Sequence, residues 1–278
     1  MKTMTAPEDI YVINDAQGGY PCRSVKRILS AEEVAAFVRD GFMVRRDVFD
    51  AETLDGFRSA LDALEARERS IIDPMYQGHS GSIYLRWLLT KDRRFFPFNR
   101  HPDLIAIART MLGPQIKIDD ADARITFPDV EDGIGWHIHL RCLPHPMPPF
   151  FCYPHAIHVL LYLDDVGERE GPLCVLPGSH HDPALRVAAN SREDLPSQVQ
   201  IQPKAGEVIL IHGNLWHRAV ESRRGGRKRR LMIGAFSPSW LRDEYQVGQR
   251  GDIDWRAEYQ AENNQPEMTE LLGGFRWA

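Results

Sequence analysis

The chain has 278 residues, 43% of them hydrophobic, and a formal net charge of −5. That length and apolar content suit one large core in one elaborated domain spanning 1–278. The acidic balance argues against a nucleic-acid or membrane-surface partner, and no apolar run approaches the roughly 20 residues of a membrane span. The opening Met1-Lys2-Thr3-Met4-Thr5-Ala6-Pro7 lacks the apolar stretch of a signal peptide. The four cysteines, Cys22, Cys142, Cys152 and Cys174, form no Cys-x-x-Cys pair, so reduced thiols in a cytoplasmic protein are expected.

Residues 1–27 show little periodicity and read as an extended lead-in. Ser30 and Glu33 have capping-box spacing, Val34, Phe37 and Val38 follow at helical intervals, and Gly41 is a stop. Phe42 to Val48 reads as a strand. Asp50 can cap a second helix carrying Leu54, Phe57, Leu61 and Leu64, and Pro102-Asp103 opens a third that ends at Gly113. Residues 1–115 are thus expected to be mostly helical. Between helices two and three, Met75, Tyr76, Tyr84, Trp87, Phe95, Phe96 and Phe98 suit a satellite core under a long connection, with a substrate lid as the alternative.

From 116 to 237 the texture changes to short strands: Ile116–Ile118, Ala123–Phe127, His158–Leu163, Leu173–Leu176, Val208–His212 and Arg229–Phe236. Gly and Pro punctuate them, which predicts a sandwich or double-sheet barrel. The proline-rich run 143–151 cannot sit inside a sheet and is expected to border the site. Residues 238–278 read as a peripheral helix and tail.

Candidate chemistry centres on three histidines. His137 and His139 lie in Gly135-Trp136-His137-Ile138-His139, and residues two apart in an extended segment point to one side, so both can grip one ion. His217, from a distant strand, would be a third ligand and leave the opposite face of the ion open, as oxygen chemistry at a non-haem metal requires. A single histidine on a half-buried strand is more often a hydrogen-bonded core residue, the reading given to His145, His155, His158, His180, His181 and His212. His212 has odd spacing to His217 and should face the other way. The basic run 223–230 reads mostly as a solvated turn. Its last residues, Arg229 and Arg230, enter an apolar strand, so one guanidinium should point inward and need an anionic partner, which a bidentate carboxylate would supply.

Four segments resemble the phytanoyl-CoA dioxygenase family of Fe(II)/2-oxoglutarate-dependent oxygenases. They are Leu29–Glu33 leading to Asp40–Val44, Trp136–His139, Glu170-Gly171-Pro172-Leu173-Cys174-Val175-Leu176-Pro177-Gly178-Ser179-His180, and Ala205–Val208 through His217 to Arg229-Arg230. The resemblance covers about residues 28 to 237. It implies a mainly β protein with a double-stranded β-helix (jelly-roll, cupin-like) core and flanking helices. It also implies iron at His137 and His217, and 2-oxoglutarate paired with Arg229, or with Arg230 if the register slips by one. The expected activity is oxidation of an unactivated C–H bond of a small molecule by hydroxylation, desaturation or cyclisation, with O2 as oxidant.

Two departures from the family pattern stand out. The position two after the first histidine is normally Asp and here is His139. The residues after the distal histidine include Ala219 and no asparagine. His139 reads as a third ligand, as an uncoordinated neighbour, or as a mark of lost activity; unchanged spacing and the donor strength of imidazole favour ligation. Its bulk fills the room a halide would need, which argues against halogenation. Two rival functions remain: a three-histidine dioxygenase that takes no 2-oxoglutarate, and a degenerate binding protein of the same fold.

Overall fold

The computed structural model describes residues 9–11, 23–25, 27–69, 82–119, 121–128, 131–139, 155–182, 185–241, 251–262 and 271–273. A hairpin of β1 (Asp9–Tyr11) and β2 (Arg23–Val25) precedes helix α1 (Ala31–Asp40). The capping box forms: Glu33 N donates to Ser30 Oγ at 3.1 Å, and Ser30 N donates to Glu33 Oε2 at 2.8 Å. Gly41 ends the helix, and β3 (Phe42–Arg45) follows. Asp50 accepts from Thr53 N at 2.8 Å to cap α2 (Ala51–Glu68), whose buried face is Phe57, Ala60, Leu61 and Leu64. Then come β4 (Ile83–Leu85), two short 3-10 turns, α3 (Phe96–Arg100) and α4 (Pro102–Leu112).

The strand-rich part contains β5 (Ile116–Ile118), β6 (Asp122–Thr126), β7 (Ile134–His137), β8 (Ile157–Tyr162) and β9 (Leu173–Val175). It continues with β10 (Val199–Ile201), β11 (Val208–His212), β12 (His217–Ala219) and β13 (Arg229–Pro238), and helix α5 (Trp255–Glu262) follows. Two antiparallel sheets result. One runs β10-β9-β12-β7; the other runs β3-β11-β8-β13-β6-β4, with β5 also on β13.

Strand alternation sorts the side chains of the larger sheet into two sets. On β8, Val159 and Leu161 join the helices in the main core, whereas Leu160 and Tyr162 pack in a second cluster with Ile209, Ile211 and Leu231. That second cluster includes Leu173 and Val175 of the smaller sheet, so it fills the space between the sheets. This is the expected double-stranded β-helix, with helices on the outer face of one sheet.

The structure corrects three expectations. Besides the strand expected at Phe42, the mostly helical front carries a further strand, β4, and β3 and β4 are the two edges of the larger sheet. Strand β10 was not expected, and β7 and β12, expected only as the extended segment of His137 and the distant strand of His217, are three or four residues long, so pairing defines them more than composition does. Phe95, Phe96 and Phe98 lie in the main core, not in a satellite or a lid. Met75, Tyr76 and the proline-rich run 143–151 fall outside the described residues.

The C-terminal segment is also less peripheral than its polarity implies. Trp255 and Tyr259 of α5 are 1% and 0% exposed and belong to the main core. Tyr259 Oη donates to Phe96 O at 2.9 Å, and Arg93 pairs with Glu258 at 2.6 Å. Because Trp255 fills core volume, Trp255→Ala is expected to cost about 3–5 kcal/mol in urea unfolding; a loosely attached tail would give a change near zero.

Candidate metal centre

The histidines meet because of strand register. Antiparallel pairing of β12 with β7 sets His217 directly across from His137, although eighty residues separate them in sequence. Trp136 faces away and is fully buried, its indole donating to Glu193 O at 2.8 Å. Gly135 is required for space: a Cβ there would collide with the backbone of Asn190, whose N donates to Trp136 O at 2.8 Å. Gly135 O accepts from His137 Nδ1 at 2.9 Å, and Leu215 O accepts from His217 Nδ1 at 2.8 Å. A carbonyl can only accept, so both rings carry hydrogen on Nδ1 and present the Nε2 lone pair to the interior.

His139 lies just past the end of β7, its N donating to Gly213 O at 2.9 Å. Its Nε2 stands 3.0 Å from Nε2 of His217, and a potential ligand atom from each of His137, His139 and His217 lies within 4.8 Å of the others. Two imidazole nitrogens about 2.1 Å from one ion at a right angle would be about 3.0 Å apart. The donor set therefore fits a divalent transition metal. His217 is 5% exposed, and burial, then the neighbouring His137 and His139, hold its pKa well below the usual histidine value. A neutral ring is the form that binds metal.

The other end of the interior is cationic. Arg229 and Arg230 point to opposite sides of β13. Arg230 reaches outward to Asp164 at 2.7 Å and Asp62 at 3.0 Å. Arg229 is 2% exposed, donating to Gly171 O and, at 3.0 Å, to Thr126 Oγ1. Gly171 has φ +76°, and a Cβ there would crowd Val220 O and the guanidinium, so the close approach needs glycine. Both partners of Arg229 are neutral, and its Nε has no hydrogen bond among the described residues. Burial lowers the pKa of Arg229, and Arg124 adds to the effect. Arg124 is itself paired with Asp132, which also accepts from Ser82. Tyr162 is in the same cluster, its hydroxyl pushed up to about 12 by burial. A guanidinium with only neutral hydrogen-bond partners is one that an incoming anion would stabilise.

The sequence reading missed Arg124, Thr126 and His158. Alternation would have found the first two: both share the inward parity of β6, opposite Leu231 and Arg229 of β13. His158 was read as an ordinary core residue, but its ring centroid is 3.6 Å from that of His139. The ordinary reading fits His180 and His181, which donate to Val38 O and Arg39 O, and His212, which accepts from Asn214 N at 3.0 Å. His212 lies on the outward parity of β11, as its odd spacing to His217 requires. His145, Cys142 and Cys152 are outside the described residues.

A jelly-roll with clustered imidazoles at one end of its interior and a buried guanidinium at the other defines a class, the iron- and 2-oxoglutarate-dependent oxygenases. The profile of the phytanoyl-CoA dioxygenase (PhyH) family matches residues 37–230, and the chain belongs to that family of Fe(II)/2-oxoglutarate dioxygenases. Dioxygenase af480 of Aspergillus fumigatus is 21% identical over 224 residues, covering 80% of this chain and 68% of its own. Ectoine dioxygenase of Bordetella parapertussis is 23% identical over 220 residues, covering 68% and 69%. Among solved structures, HygX of Streptomyces hygroscopicus with nickel, 2-oxoglutarate and hygromycin B bound has a TM-score of 0.63 at 19% identity, covering 77% of this chain and 89% of that one.

Two of these rings make stability depend on pH. His217 and His158 both have folded pKa values well below 6.5. Below pH 6.5 the unfolded chain therefore binds protons that the native chain does not, and stability falls as pH falls. Metal-free protein is expected to lose up to about 1.4 kcal/mol per pH unit for each such ring between pH 6.5 and 5.5. Urea unfolding across that range checks this, with a shallower dependence expected in His217→Gln.

Proposed function

We propose that this enzyme binds one Fe(II) through His137, His139 and His217, anchors the far carboxylate of 2-oxoglutarate on Arg229, and oxidises an unactivated C–H bond of a small molecule. Hydroxylation, desaturation and cyclisation are all within that chemistry. The observation that carries the reading is the imidazole cluster and the buried Arg229 on the facing sides of the two sheets. When bound, iron and 2-oxoglutarate supply O2 activation coupled to decarboxylation to succinate.

The chain's own residues bind and orient. His137 and His217 are fixed by backbone carbonyls, so their Nε2 lone pairs are aimed before metal arrives. Three neutral donors leave the full charge of a divalent ion, which favours a dianionic cosubstrate. Arg229, held by Gly171 and Thr126, offers a fixed fork for a carboxylate. Leu160, Ile209, Ile211 and Leu231 line the interior and exclude water. A small-molecule substrate is in keeping with the hygromycin B bound to HygX and with the ectoine for which the Bordetella enzyme is named.

The neutral donor set itself favours a second reading, a three-histidine dioxygenase that takes no 2-oxoglutarate, with Arg229 holding a substrate carboxylate instead. Anaerobic Fe(II) protein is expected to develop a visible charge-transfer band on addition of 2-oxoglutarate. His137→Ala and His217→Ala should abolish iron binding. Arg229→Ala should weaken 2-oxoglutarate by about 1.5–3 kcal/mol, roughly ten- to a hundred-fold, while the outward Arg230→Ala leaves it unchanged. Oxygen consumption without any succinate would select the second reading.

His139 separates a three-ligand from a two-ligand centre. As a ligand, its loss in His139→Ala should lower iron content and stop succinate formation. His139→Asp should retain iron and 2-oxoglutarate binding. Full metal content and turnover in the alanine variant would reduce the centre to His137 and His217.

A further inference from the structure

One half-buried imidazole beside the centre has no part in the reading above. His158 shares the inward parity of Leu160 and Tyr162 on β8. Its backbone is clamped from both sides, opposite Ile211 of β11 and Ala235 of β13. It therefore sits on one of the most constrained strands of the larger sheet. Its Nε2 is shielded from solvent and makes no hydrogen bond among the described residues. Burial, then His217 and other nearby rings, keeps it neutral.

Its ring meets that of His139. The centroids are 3.6 Å apart with planes at 64°, the tightest ring pair among the described residues. By contrast, His139 and His217 are 4.8 Å apart, and His137 and His139 are 5.5 Å apart. His137 and His217 are strand residues with rings set by backbone carbonyls. His139 lies two residues beyond the last residue of β7, its N donating to Gly213 O. There a ring also packs against a ring. So close a contact limits rotation of the His139 side chain.

We propose that His158 is a positioning residue for the metal centre: fixed on β8, it packs against His139 and holds that ring's Nε2 toward His137 and His217. The proposal rests on the metal-centre reading above. It makes the histidine in place of the family's aspartate one half of a pair, because a carboxylate at 139 would present no ring for His158 to hold.

The test is a double-mutant cycle read by metal affinity. His158→Ala and His158→Phe are made alone and with His139→Asp, and Fe(II) affinity is measured by anaerobic chelator competition. Co(II) absorption reports coordination geometry, and thermal melts report folding. His158→Ala is expected to weaken the metal about 10- to 100-fold and change the Co(II) spectrum, the usual effect of losing a group that orients a ligand. His158→Phe, which keeps a ring, should stay within a few-fold of native. In the His139→Asp background, His158→Ala should have little effect. His158→Leu makes the same comparison if the alanine variant does not fold. Native affinity and spectrum in the ringless variant would overturn the proposal, as would an equal loss in both backgrounds, which marks general packing. A native protein that binds no metal would overturn the metal-centre reading and this role together; metal binding indifferent to position 158 overturns only the role.

Discussion

The structure turns on the pairing of β12 with β7. Both strands are short, and neither has the apolar content to define itself, yet their register places His217 opposite His137. Strand side chains alternate, so a slip of one residue would turn either ring out of the interior. Several contacts pin that register. β9 binds the other edge of β12, Trp136 is buried on the far side of β7, and the Asn190 segment closes over Gly135. Much of the smaller sheet thus serves to hold two rings across from each other.

The larger sheet supplies the complementary end. Along β13, Arg229 opens a row of inward residues that continues with Leu231 and reaches Ala235, opposite His158. The interior is consequently cationic where the strand begins, apolar along its middle, and lined by imidazoles beyond. An apolar middle strengthens charge interactions at both ends, since little water is present to screen them. The same arrangement makes the guanidinium of Arg229 costly without an anion beside it, which under the proposed function would favour dianions over neutral molecules.

Much of this was legible in the chain. The capping box at Ser30, the cap at Asp50 and the proline at 102 are local devices whose meaning needs no tertiary context, and all three helices begin where those residues stand. The two-residue spacing of His137 and His139 was also readable. Less visible was anything decided by partners. Strands β7 and β12 are strands because they pair, and the polar segment around Trp255 looks peripheral until its two aromatic rings are seen in the core. His158 illustrates the limit best. Sequence supplies the parity that points it inward, but only the packing of β8 against the end of β7 brings its ring to His139.

The position of β13 has a kinetic consequence. It lies in the middle of the larger sheet, bonded to β8 on one side and to β6 and β5 on the other, yet it is the last strand among the described residues. Until residues 229–238 arrive, β8 and β6 lack the strand that lies between them, and each keeps a row of unpaired backbone groups. Closing β13 against β6 joins segments about a hundred residues apart, so the transition state must carry a large loop entropy before those contacts reward it. Folding of this architecture is therefore governed by long-range contacts and should be slow for its size. During synthesis the exposed edges of β6 and β8 are where a partly made chain is most open to pairing with another copy.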